Sequence, residues 1–184
     1  MSSTNTTFRA LHDVGAAAWF GGALMGAIAL NGASRDISDP RERALVAADG
    51  WARWAPVSAA AIGAHLVGGA GLVLANRGRV KSQSGVTANT VVKTALTGAA
   101  IATTAYSGLL GAKIIKAGKF PSAGGAVPSE DTPSDVASVQ RQLRPLQWLT
   151  PAFTAGVVVL GAQQGEQQKT GQVAKGLAKK ALHR

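Results

Sequence analysis

The sequence predicts an all-α integral membrane bundle of four transmembrane helices, in up-down order with both termini inside. Two observations carry this expectation. Residues 14–31, 55–75, 94–115 and 146–163 are each apolar over a length close to the ~20 residues that a membrane helix needs. The charges between these stretches are also sorted by loop. At 184 residues the chain reads as one domain, 1–184, in which the spans and their loops leave no room for a separate soluble enzyme domain.

Composition agrees. Mean hydropathy is only +0.13, because the spans are built from Ala and Gly, with 23 glycines in the chain. Small residues suit a membrane bundle, where lipid tails give no hydrophobic drive for helix association and close backbone contact must supply it. The chain has no Cys, which removes disulfides, thiolate ligands and a cysteine nucleophile.

Orientation follows from the cations. One side takes Arg9, the loop after the second span and the tail, with ten Lys and Arg against Asp13 and Glu166. The other side has nine cations against seven acids. The counts nearly tie, so the loop after the second span decides: Arg77, Arg79, Lys81 and Lys93 have no acid beside them. The positive-inside rule then predicts N-in and C-in, in the cell (inner or plasma) membrane. Trp51, Trp54 and Trp148 fall at the opposite interface, where indole rings favour the headgroup region, while Trp19 lies inside the first span.

Taken in order, the first apolar run follows Arg9 and exceeds the ~7–15-residue core of a secretory signal, so it reads as a span. It carries Ala18, Gly22 and Gly26 at four-residue steps. In the connection 32–54, Asp39 as cap, Pro40 at the first helical position and Glu42 three residues past the cap predict a short surface helix ending before Gly50. The loop 76–92 is basic and polar, without periodicity. Connection 116–145 is the longest. Its stretch 120–133 is rich in Pro, Ser and Gly and reads as an irregular excursion on the outer surface or against a partner. Thr132, Pro133 and Asp135 then cap a second short helix with Val136, Val139, Gln140 and Leu143 on one face. In the basic tail, 164–184, Val173, Leu177 and Ala181 recur every four residues, with Lys175 and Lys179 on another face. It reads either as an amphipathic helix on anionic lipid or as a solvated tail that sets topology.

The strongest periodic feature is a row of small residues on the third span: Ala95, Ala99, Thr103, Ser107 and Gly111. Ala100, Thr104, Gly108 and Ala112 adjoin it. Such a row lets another backbone approach, either within the bundle or from a different chain. His65 stands near the middle of the second span, where an ionisable side chain is costly and points to function. It reads as a haem or metal ligand, a proton carrier, or a neutral ring bonded to a neighbouring helix, for example at Thr103 or Tyr106. His12 is the other candidate. Counted from the span edges at ~1.5 Å per residue, the depths of His12 and His65 differ by roughly 18 Å, or by roughly 9 Å if the first span starts at Phe8, which makes the pair a poor haem site.

Leu11, His12, Ala18, Trp19, Phe20, Gly21 and Gly22 together resemble the opening helix of CopD-like membrane proteins, a group with copper-resistance and haem-linked oxidase members. That resemblance implies a metal or haem role, which only His12 and His65 are placed to inherit; Met1 and Met25 are the only methionines. In size, outline and an actinobacterial Ala and Gly bias, the chain also resembles small accessory subunits of bacterial respiratory assemblies. Buried acidic pairs, P-loops, nucleophile elbows and zinc spacings do not occur. The net charge of +10 flanks the spans, so topology and anionic lipid account for it without nucleic acid. The expectation is a cofactor-free accessory subunit, without enzyme activity, docked on a larger integral-membrane complex of respiratory type; the competing expectation is a small redox or transport protein using His65 and His12.

Overall fold

The computed structural model describes residues 3–75 and 84–167. They form four long helices: α1 (Ser3–Met25), α2 (Arg43–Ala75), α3 (Ser84–Ala117) and α4 (Ser134–Gln167). Beyond Met25 the first helix runs on through a π turn (Gly26–Leu30), one α turn (Asn31–Ala33) and a 3-10 turn (Ser34–Asp36). Neighbours in sequence pack antiparallel, α1 on α2 and α3 on α4, and the ring closes where α1 meets α4 and α2 meets α3. No strand occurs among the described residues.

Three helices, Asn5–Asp36, Arg43–Ala75 and Ser134–Gln163, are long and apolar enough to cross a membrane. α3 has the length, at 34 residues, but not the apolarity. Thr90, Thr94, Thr97, Thr103, Thr104 and Ser107, together with Lys93, dilute its aliphatic content. The surface has the apolar character of lipid-facing helices: Val14, Ile28, Val67, Leu74, Leu109 and Val159 are all more than half exposed.

The connector end differs from the sequence reading in two ways. No separate surface helix precedes α2: Asp39 caps a turn, its Oδ1 accepting the Arg41 N–H at 2.9 Å, and α2 then runs unbroken through Gly50. That hydrogen bond holds the exposed Asp39 carboxyl below its usual range. Gly50 marks close packing instead of a helix end, since a Cβ there would lie 2.8 Å from the Leu30 side chain. Likewise the helix expected from Ser134 is the first third of α4, continuous through Pro145 and Pro151.

The stretch 118–133 is irregular, as expected, but it is packed inward. Gly118, with φ +74°, ends α3 by donating its N–H to Ile114 O and Ile115 O at 3.2 Å. Phe120 N–H then donates to Arg41 O, and Ser122 N–H to Pro40 O. Ser122, Gly124, Gly125 and Ala126 are all buried. Phe120 joins Ala44, Ala48, Leu110, Ile114, Val136 and Val139 in the core cluster of this end, and Trp19, Ala61 and Ala100 form a second cluster at mid-bundle. The tail beyond Gln167 and the loop 76–83 lie outside the described residues, so the expected amphipathic tail helix does too.

Candidate functional site

α1 and α2 meet through glycines. Ideal Cβ atoms on Gly15 and Gly68 would lie 2.5 Å from Ala61 O and 2.4 Å from His12 N respectively, so the two backbones touch. Further along, Gly22 and Gly26 face the rings of Trp54 and Trp51, and Gly71 faces Phe8. This register, a glycine opposite a large side chain at successive turns, fixes which residues share a level.

It brings His12 and His65 together. Their ring centroids are 4.2 Å apart with the planes tilted by 41°, and both side chains are buried. The depth difference expected from the span edges is therefore corrected. Hydropathy marks where lipid-like character begins, whereas α1 starts nine residues before His12 and the glycine contacts set the register.

The hydrogen bonds define the rings. His12 Nδ1 lies 2.8 Å from Asp13 Oδ1, a carboxylate oxygen that only accepts, so Nδ1 carries the proton. His65 Nδ1 lies 3.1 Å from the His12 carbonyl oxygen, so it too is the donor, and its Nε2 faces Thr97 Oγ1 on α3 at 3.4 Å. His65 thus bonds a neighbouring helix, at Thr97 in place of Thr103 or Tyr106. Tyr106 instead donates its hydroxyl to Gln142 on α4, and Thr103 accepts from Thr150 Oγ1 at 3.0 Å. Trp19, 1% exposed, donates Nε1–H to Thr104 Oγ1 at 3.1 Å, with its ring centroid 6.4 Å from that of His65.

The pair does not fit a haem clamped between two imidazoles. Each ligating nitrogen would sit about 2 Å from the metal on opposite faces, which sets the ring centroids more than roughly 6 Å apart. Among the described residues, no group of three or more His, Cys, Asp or Glu side chains is placed to hold a metal ion.

The small-residue row on α3 divides. A four-residue step turns about 40° around a helix of 3.6 residues per turn, so a row of five positions sweeps about 160° and cannot face one neighbour throughout. Thr103 faces α4 through Thr150, while Ala99 and Ser107 are half-buried and Ala95 is exposed. Gly108 and Gly111 look into open space, with nothing within 4 Å of an ideal Cβ. Off the row, Leu96 adds to the contact of α3 with α4, reaching 2.9 Å from where a Cβ on Gly156 would be. Gly22 and Gly26, by contrast, are covered by Trp54 and Trp51. Trp148 is half exposed.

Sequence reasoning missed a polar cluster at the connector end. In the π turn the Asn31 N–H reaches Gly26 O, five residues back, as well as Ile28 O. The Asn31 side chain, 7% exposed, accepts from Trp51 Nε1–H at 3.0 Å and donates to Gln147 Oε1 at 2.7 Å, tying α1, α2 and α4. Ser34 Oγ donates to Asn31 O and accepts from Gly125 N–H at 3.0 Å, while Gln140 Nε2 donates to the carbonyls of Gly124 and Gly125. The Asn31-Gly32 pair inside an apolar run was the available signal.

Comparison with known proteins finds no matching family model, and no curated protein or solved structure that matches significantly.

Proposed function

We propose that this chain is a cofactor-free accessory subunit with four spans in the cell membrane, N-in and C-in, docking through α3 against a larger integral-membrane complex of respiratory type. The observation that carries the reading is the open face at Gly108 and Gly111: small residues on a long helix that nothing among the described residues covers. Close approach of a foreign helix needs such a surface, and van der Waals packing with weak hydroxyl bonds, about 1 kcal/mol or less each, would hold it. The His65 contacts support the cofactor-free part. Both of its nitrogens have partners inside the bundle, which gives a mid-helix histidine a structural role. Anionic lipid at the tail remains the second expected partner.

The test is affinity purification in mild detergent followed by mass spectrometry, on the parent and on Gly108→Leu and Gly111→Leu. Stable variants that lose a co-purifying membrane complex support docking through this face. Retention of the same partners by both variants removes it.

One observation favours a second reading, a redox or transport role. With its Nδ1 donating to Asp13, His12 keeps an acceptor lone pair on Nε2, on a ring 4.2 Å from that of His65, the state in which imidazole takes a proton or a metal ion. An optical spectrum and metal analysis of purified protein decide between the readings. A Soret band or stoichiometric copper abolished by His65→Ala would establish the second one and end the first.

A further inference from the structure

Between the connector-end halves of α1 and α2 runs an open groove of about 440 Å³ with an almost wholly apolar lining. Its volume lies within the range of ~300–1,000 Å³ usual for ligand clefts. Gly22 and Gly26 line it, and because they have no side chains two indole rings pack directly on the helix backbone. The rings of Trp54 and Trp51 lie against the bare α1 backbone, 2.3 and 2.1 Å from where Cβ atoms would be, and Met25, Ala29 and Leu30 extend the lining. Trp51 is held in place by its hydrogen bond to Asn31. Its indole N–H is thus occupied, and only its apolar ring is on offer.

One lining residue is charged. Arg53, exposed, stands between the two tryptophans in sequence and makes no ion pair among the described residues; Asp49, one turn away on the same helix, does not pair with it. Both helices that form the groove are long and apolar enough to cross a membrane, and around it Met25 is 51%, Ile28 58% and Val57 46% exposed. An apolar groove with an exposed, unpaired arginine in its lining, on a surface of exposed apolar side chains, is complementary to one class of molecule. We infer that the groove seats one acyl chain of an anionic glycerophospholipid, with its phosphate on Arg53. The guanidinium fork matches phosphate oxygens in bidentate fashion, and a cation close to an anionic lipid surface gains attraction that a zwitterionic headgroup does not supply. The site depends on α1 and α2 lying in a bilayer and is independent of docking through α3.

Tryptophan emission reads this site directly. Trp148→Phe removes the half-exposed indole outside the groove, and Trp19 is buried, so emission that lipid can quench comes from Trp51 and Trp54. This variant is reconstituted into vesicles containing phosphatidylglycerol or phosphatidylcholine with brominated acyl chains at equal mole fraction. Brominated phosphatidylglycerol should quench with about fivefold higher apparent affinity, the effect of one cation beside an anionic headgroup. Arg53→Gln should abolish that preference while leaving quenching by phosphatidylcholine unchanged. Ala29→Phe, which fills the slot, should reduce quenching by both. Equal quenching by the two lipids, or a preference that survives Arg53→Gln, would overturn the proposal and leave only non-selective annular lipid.

Discussion

Gly15 and Gly68 set the limit on what α1 and α2 tolerate. A methyl group on either would meet backbone atoms of the other helix at 2.4–2.6 Å, and a backbone cannot swing aside as a rotamer does. Gly15→Ala and Gly68→Ala are each expected to lose at least about 1–3 kcal/mol, the usual cost of overpacking. Gly108→Ala, with open space around it, should be neutral or gain up to about 1 kcal/mol of helix propensity. Thermal unfolding of the three variants in one detergent checks the contrast, and equal midpoints for Gly68→Ala and Gly108→Ala would refute the packed interface. His65→Ala is expected to lose about 1–3 kcal/mol, because Thr97 and the His12 carbonyl forfeit a buried partner. The loss should be the same with and without added copper unless the metal reading holds.

At the scale of elements, the π turn in the first helix is the feature with the widest reach. Without its extra residue per turn, Asn31 would rotate away from Trp51 and Gln147. Asn31→Leu keeps the branched shape but strands the Trp51 N–H and the Gln147 amide oxygen, each orphan costing about 1–3 kcal/mol. The loss should appear as a lower unfolding midpoint together with a shift in tryptophan emission. An unchanged midpoint would mean that the cluster adds nothing to the closure of α1, α2 and α4. The inward fold of 118–133 also determines where that segment can be reached. Ser122 is fully buried and is a poor reporter for surface labelling, whereas Glu130 and Asp131 are exposed.

For the whole molecule, orientation and docking are the properties to measure. Single Cys residues at Ser82 and Glu130 should label from opposite sides of intact cells, with Glu130→Cys reacting from outside. Labelling of Ser82→Cys from outside would invert the proposed topology. Replacing Gly108 by Leu should leave the unfolding midpoint within about 0.5 kcal/mol of the parent, as for surface substitutions generally, while reducing co-purification of the partner. A large loss of stability would instead place that face inside a packed contact and withdraw it from docking.

Helix number, the membrane-compatible apolarity of three helices and the glycine-rich style of packing were all legible in the sequence, because composition and run length report directly on the solvent a helix tolerates. The helix start near Ser134 was legible for the same local reason, whereas Asp39, read as a helix cap, closes a turn ahead of α2. Register was not. Whether His12 stands level with His65 depends on which glycine receives which ring across two helices, and neither hydropathy nor spacing along one helix contains that information. The burial of 118–133 was equally hidden: its Pro, Ser and Gly content describes a chain without regular structure, and only the carbonyls of Pro40 and Arg41, the Ser34 hydroxyl and the Gln140 side-chain N–H donors decide that it packs inward. The row on α3 shows both sides at once. Its four-residue spacing is a property of the sequence, but which of its members meet α4 and which face outward follows from the turn of the helix against the helices packed on it.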